Sequence, residues 1–152
     1  MTARREGWEL GVGLLMAARA LFDELHRRLA EQGHAELRPA HGYAFQAISP
    51  SGATASELAG RLHITKQAAG QMAAELERLG YLRRGSDSDD ARRRPLVLTA
   101  RGRDALSRSQ SILADLRREW VARAGASSVD EAAATLEALV DLYGEGKLRP
   151  VW

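Results

Sequence analysis

The sequence contains no cysteine. This excludes disulfides, thiolate metal clusters, a nucleophilic thiol and a thiol-based peroxide sensor, and it is compatible with a cytosolic setting. No apolar run approaches the roughly 18 residues of a membrane-spanning helix. The opening residues, Met1-Thr2-Ala3-Arg4-Arg5-Glu6, lack the apolar stretch and cleavage pattern of a signal peptide. A cytoplasmic protein without membrane association is expected. There is no internal repeat or low-complexity tract. The four histidines, His26, His34, His41 and His63, form no zinc-binding spacing. Gly11-Val12-Gly13 has no strand before it and is not a nucleotide fingerprint. Asp87-Ser88-Asp89-Asp90 fails as a calcium loop, because Arg92 stands where glycine is needed and Leu98 where the closing glutamate belongs. No Walker loop or G-x-S-x-G elbow is present either. No metal, cofactor or catalytic residue is therefore expected, and the sequence offers no case for an enzyme.

What is present is the composition of an ordinary globular domain: 152 residues, 45% apolar and 28% charged, with a formal net charge of +2. The charge is unevenly spread. Residues 54–103 carry ten Lys and Arg against six Asp and Glu, while the rest of the chain carries twelve against fourteen. A basic middle third suits a polyanionic partner.

Hydrophobic spacing predicts a long amphipathic helix over residues 8–29, carried by Trp8, Val12, Leu15, Phe22, Leu25 and Leu29. Gly11 and Gly13 fall inside it and suggest frayed first turns or a close approach. Pro39 announces a short helix over 40–48 that ends at Ser49-Pro50-Ser51-Gly52. Thr54-Ala55-Ser56-Glu57 is a capping box that opens the next helix, which stops near His63-Ile64. Thr65 then caps a helix over 66–79, and Gly80 supplies its stop. Residues 81–84 and 95–98 read as two short strands around a charged tip, 85–94. Thr99 caps a long helix whose Leu106, Ser109, Leu113, Leu116, Trp120 and Ala124 step by three or four, a seam that suits a partner helix. A last helix begins at Ser127 or Ser128 with Val129, Ala132, Leu136, Leu139 and Tyr143 on one side, and residues 144–152 form a tail.

Two capped helices across a tight turn, followed at once by an Arg-tipped hairpin, have the order of a winged helix-turn-helix. Such a unit places the N-terminal residues of its second helix on base edges in the major groove and its hairpin against the adjacent minor groove or phosphates. Thr65, Lys66, Gln67 and Gln71 are the polar residues at the tip of the second helix. Gln67 suits adenine, and Lys66 suits guanine or phosphate. Thr54 and Ser56 sit at a helix N-terminus, where amides and dipole favour phosphate. Arg92, Arg93 and Arg94 are the hairpin candidates for a narrow, electronegative groove, with Asp87 or Asp90 orienting Arg92.

These residues resemble the multiple-antibiotic-resistance regulators, the MarR family, most strongly over 53–105. The resemblance rests on Thr54-Ala55-Ser56-Glu57-Leu58-Ala59, Thr65-Lys66-Gln67-Ala68, Leu76-Glu77-Arg78-Leu79-Gly80-Tyr81-Leu82, the pattern Asp87-x-x-Asp90-x-Arg92, and Leu96-Val97-Leu98-Thr99-Ala100-Arg101-Gly102. The sequence departs from the family pattern at Gly70 and at Ser86, where proline is frequent. The resemblance implies a mainly α protein with a small β-hairpin wing, forming a single unit over 1–152. Residues 40–99 would be the winged helix-turn-helix DNA-binding lobe, and 1–35 and 100–143 the N- and C-terminal dimerisation helices. It also implies a homodimer on double-stranded DNA with a pseudo-palindromic operator, acting as a repressor, and a small aromatic or phenolic effector in a cleft between lobe and dimer helices. Phe22, Tyr43, Phe45 and Trp120, together with Trp8 and Met16, are candidates to line that pocket. The competing reading is a winged-helix protein-interaction module without DNA binding, to which a cluster of arginines at the wing tip adds nothing.

Overall fold

Helix α1 (Gly7–Glu31) spans 25 residues and passes unbroken through Gly11 and Gly13. An added Cβ at either glycine would meet nothing within 4 Å, so neither marks a close approach. In this computed structural model, residues 7–49, 51–85 and 94–143 are described. Their order is α1, α2 (Pro39–Ile48), α3 (Ala55–Leu62), α4 (Lys66–Arg78), β1 (Leu82–Arg84), β2 (Leu96–Leu98), α5 (Ala100–Ala124) and α6 (Ala126–Tyr143). This is the mainly α architecture with a two-stranded hairpin that the sequence predicts. α2 takes Pro39 as its first residue, where a missing amide costs nothing. α6 starts at Ala126, one or two residues ahead of the expected Ser127 or Ser128.

The hairpin pairs Leu82 with Leu98, Arg83 with Val97 and Arg84 with Leu96 in an antiparallel register. Leu82, Leu96 and Leu98 point into the core, while Arg83 and Arg84 stay exposed. Ala53 extends the sheet by a reciprocal pair with Leu96, its amide donating to Leu96 O at 3.1 Å and its carbonyl accepting from Leu96 N at 2.8 Å. The lobe is thereby stitched shut between the start of α3 and the wing. Its core is built from Phe45, Ile48, Leu58, Leu62, Leu76 and Leu96, with Ala69 and Ala73 letting α4 lie close.

α4 ends in a Schellman motif. The Gly80 amide donates to Glu77 O at 3.0 Å and the Tyr81 amide to Leu76 O at 2.9 Å, with Gly80 at φ +80°. The next turn delivers Tyr81 into the core, fully buried, its ring 5.7 Å from that of Phe45. α5 begins directly on this junction. The Thr99 hydroxyl accepts from the Gly102 amide and donates to Gly80 O at 2.6 Å. Gly102 is required there, because a Cβ at that position would sit 2.3 Å from the Tyr81 carbonyl oxygen.

The apolar stripe expected along α5 divides. Its Leu116 is buried and its Leu106 and Leu113 pack on this subunit's own core, joined there by Ala105 and Ile112 from outside the stripe. Trp120, beyond it, is 43% exposed. α6 buries no residue of its own and packs chiefly on α5. The exposed large apolar residues concentrate on the first half of α1 (Trp8, Leu10, Val12, Leu15, Met16), at Trp120, and on α6 (Leu136, Val140, Leu142, Tyr143).

Gly102→Ala drives a methyl group into the Tyr81 carbonyl and is expected to cost about 1 to 3 kcal/mol, as overpacking does. A thermal melt should show a transition lowered by several degrees; an unchanged melt would contradict the close approach.

Candidate nucleic-acid interface

The helix-turn-helix is fixed by its caps. The Thr54 hydroxyl accepts from the Glu57 amide at 3.2 Å and the Glu57 carboxylate accepts from the Thr54 amide at 2.7 Å, the reciprocal pair that the sequence predicts. α3 then stops at His63, the only described non-glycine residue with positive φ, 53°. The His63 amide donates to Gly60 O and the Ile64 amide to Ala59 O. Two residues after His63, Thr65 caps α4, its hydroxyl accepting from the Ala68 amide at 3.1 Å.

On α4 the buried residues Ala69, Ala73 and Leu76 define the inward face. At 100° per residue the opposite side carries Gln67, Gln71, Ala74 and Arg78, and all four are exposed. Lys66 and Thr65 stand exposed at the helix tip beside them. A row of two carboxamides, a methyl and a guanidinium is a surface able to donate and accept on base edges while approaching closely. Arg78 belongs to this row and was not among the sequence candidates, although the 67, 71, 74, 78 spacing contains it. Gln71 stands at the row's edge and also lines the cleft described below.

Thr54 and Ser56 lie at the α3 tip, Ser56 exposed and Thr54 half-buried. The capping box engages the Thr54 hydroxyl and amide, so an anion there would meet the first-turn amides of Ala55 and Ser56. Arg94 is exposed at the base of the wing. Arg92 and Arg93, with Asp87, Asp90 and Ser86, lie outside the described residues. Arg83 is exposed on β1, and Arg84 reaches back to Glu77 of α4, Nε to Oε1 3.3 Å.

Behind the lobe a knot of polar groups ties three segments together. The Tyr81 hydroxyl lies 3.1 Å from His34 Nδ1 and accepts from the Arg101 guanidinium at 3.1 Å. Arg101 also lies over the Tyr81 ring, 4.7 Å from its centroid, and pairs with Glu36. The far nitrogen of His34 lies 2.9 Å from Asp104 Oδ2. With Asp104 as acceptor, His34 carries hydrogen on Nε2 and offers Nδ1 to the tyrosine hydroxyl. The Asp104 carboxyl is held below its usual range by hydrogen bonds first from Arg108 and then from His34. Burial pushes the Tyr81 hydroxyl up against the opposing pull of Arg101.

Between α1, the start of α2 and α4 lies a cleft of about 820 Å³. Leu15, Phe22, Pro39, Ile64, Ala68 and Met72 give it apolar walls, and Arg19, Asp23, Arg38, His41, Gln71 and Glu75 its polar groups. A second cavity of about 240 Å³ lies deeper, between α1, α2 and α5. Phe22 borders both; Tyr43 and Phe45 border only the second, with Phe45 itself a buried core residue. The Phe22 and Tyr43 rings lie 6.4 Å apart. Trp120 borders neither cavity, because it sits near the far end of α5, and Trp8 and Met16 border neither as well. Among the described residues no three His, Asp or Glu side chains gather to hold a metal, and no helix is long and apolar enough to cross a membrane.

Residues 36–93 match the MarR family. A MarR family protein of Mycobacterium tuberculosis in complex with DNA is 28% identical, with a TM-score of 0.63 over 86% of this chain and 96% of that one. The M. tuberculosis protein in complex with salicylic acid aligns at 27% identity and a TM-score of 0.62, over 86% of this chain and 95% of that one. The transcriptional regulator BldR of Sulfolobus solfataricus is 25% identical, with a TM-score of 0.63 over 93% of this chain and 99% of its own. No curated protein matches the chain by sequence.

His41, fully buried at the cleft wall, gives a test of this packing. Burial, reinforced by the nearby Arg38 charge, holds its pKa below the ordinary imidazole value of 6.5. A group depressed on folding contributes stability above its unfolded pKa and loses it as pH falls through that value. The melting temperature should therefore decline as pH drops below about 6.5, and His41→Gln should flatten that decline. An identical pH profile in the variant would show that His41 is not the group responsible.

Proposed function

We propose that this chain, whose helix-turn-helix lobe is of the MarR family, is a transcription regulator that binds double-stranded DNA as a homodimer and represses from a pseudo-palindromic operator. The observation that carries the reading is the exposed row Gln67, Gln71, Ala74 and Arg78, presented by a helix whose other side is locked into the lobe core. In this reading α4 enters the major groove. Gln67 and Gln71 meet base edges, adenine by preference, and Lys66 addresses guanine or phosphate at the helix tip beside Thr65. Thr54 and Ser56 bring the α3 tip to a phosphate, and Arg78 contacts the backbone further along. Arg92, Arg93 and Arg94 take the wing to the neighbouring minor groove.

The dimer reading is supported by the uncovered apolar residues. The first half of α1, Trp120 and α6 expose ten large apolar side chains, more than a lone subunit ordinarily leaves to water. A second copy of the same surfaces covers them, and residues 1–35 and 100–143 serve as its dimerisation helices, with 40–99 as the reading lobe. The cleft between α1 and α4 is then the seat of a small aromatic or phenolic effector, with Phe22 in its wall. The M. tuberculosis relative in complex with salicylic acid supports that class of ligand. Because both lobes must meet their half-sites together, displacing α4 relative to α1 costs affinity steeply.

Selection of bound sequences from random duplex DNA should yield a two-fold symmetric motif, and binding should weaken linearly with log salt concentration. Recovery of no motif, with no retention of duplexes at low salt, would favour the protein-interaction reading. Arg92→Ala should weaken operator binding at least about tenfold by removing a groove contact of about 1 to 3 kcal/mol, leaving the dimer intact. Trp120→Asp should leave a monomer in light scattering, since a carboxylate does not tolerate burial in an apolar interface; a persisting dimer would remove Trp120 from it.

A further inference from the structure

The polar groups of the 820 Å³ cleft are not scattered. Three of them, Arg38, His41 and Glu75, converge on one link between the start of α2 and the recognition helix α4. The Arg38 guanidinium donates to Glu75 Oε2 of α4, and His41 Nε2 lies 3.5 Å from the same oxygen. His41 is set in that role by the backbone, because the Arg38 amide donates to its Nδ1 at 3.2 Å. A ring that accepts at Nδ1 carries its hydrogen on Nε2, so the neutral imidazole turns a donor toward Glu75. The depressed pKa of His41 agrees with a neutral ring. Arg38 and His41 therefore form a two-donor seat for one carboxylate, in the wall of an otherwise largely apolar cleft, and the carboxylate seated there belongs to α4.

We propose that Glu75 is a built-in competitor: its carboxylate holds the seat at Arg38 and His41 that the carboxylate of a small aromatic acid takes on entering the cleft, so that ligand and recognition helix exclude one another there. The proposal rests on reading the cleft as an effector site and adds how the occupant is sensed.

The energetics permit the exchange. The Arg38 side chain is 63% exposed and that of Glu75 32%, so the pair is a solvent-screened one, worth less than about fivefold in an equilibrium. An entering acid adds the burial of its ring against Phe22, Ile64 and Met72, which Glu75 does not supply, and it displaces the weaker competitor. Glu75, being partly exposed, turns to water. α4 is thus unfastened from the start of α2 only by a ligand bearing a negative charge, which gives the ligand different affinities for the fastened and unfastened arrangements. A neutral ring of the same shape fills the cleft without a claim on Arg38. The other guanidinium of the cleft, Arg19, is held by Asp23 within its own helix through both carboxylate oxygens, at 3.0 and 3.1 Å, and links no second element.

Calorimetric titration of the full chain with salicylate and with neutral salicylamide tests this without DNA. Arg38→Ala should weaken salicylate about three- to fivefold and leave salicylamide within about 1.5-fold, whereas Glu75→Gln should tighten salicylate about two- to fivefold by removing the competitor. In a gel-shift titration the Glu75→Gln variant should also lose most of the salicylate-induced change in duplex affinity. Equal salicylate affinity in the unmodified chain and Glu75→Gln overturns the competition while leaving the cleft an effector site. A loss that follows Arg19→Ala and not Arg38→Ala overturns the seat. Failure of salicylate to bind either form overturns the effector reading and this proposal together.

Discussion

The hydroxyl of Tyr81 is the point on which the arrangement depends. A tyrosine with no exposed surface must find partners for its oxygen, and here the partners come from two other segments: His34 and Glu36 in the connection between α1 and α2, and Arg101 in the first turn of α5. A buried polar group left without a partner costs far more than one satisfied bond contributes, so the network is held to one geometry. The backbone of the same residue adds a second constraint. Its carbonyl lies so near α5 that only glycine fits at position 102. The end of α4, the root of the wing and the start of α5 are thus one rigid corner.

From that corner α4 extends with its small inward residues, Ala69 and Ala73, packed on the lobe core. The same smallness leaves its outward face fully presented and its flank separated from α1 by a wide cleft. The lobe, α2 included, is packed as one unit, and the gap lies between its recognition helix and α1. Beside the gap, a charged contact joins Glu75 of α4 to the Arg38–His41 seat at the start of α2. The proposed reading function and the proposed control by ligand are therefore properties of the two faces of a single thirteen-residue helix.

Much of this frame is legible in the sequence because it is written in local chemistry. The Thr54–Glu57 capping box, the Thr65 and Thr99 caps, the Gly80 stop and the alternation of Leu82 and of Leu96 with Leu98 are short-range signals whose physics does not depend on distant parts. Gln67 and Gln71 stand exposed where helical spacing puts them. What is not legible is whatever depends on how helices meet. The α5 stripe has coiled-coil spacing, yet its Leu116 is buried and its Leu106 and Leu113 are packed within the subunit, since periodicity specifies a buried face and not the identity of its neighbour. Phe22, Tyr43, Phe45 and Trp120 are equivalent as aromatic letters, but they border different cavities or none. His41 and Glu75 lie 34 positions apart, and nothing in their surroundings announces the contact. His63 closes α3 at positive φ where glycine would be the usual choice, a role read only from the backbone.

The central claim is that two copies of α4 read one face of a duplex together. Hydroxyl-radical footprinting on a selected operator measures it most directly. The account predicts two protected patches related by two-fold symmetry and centred about one helical turn, roughly 10 base pairs or a multiple of it, apart on the same face. A single protected patch, or cleavage unchanged along the whole duplex at saturating protein, would contradict it.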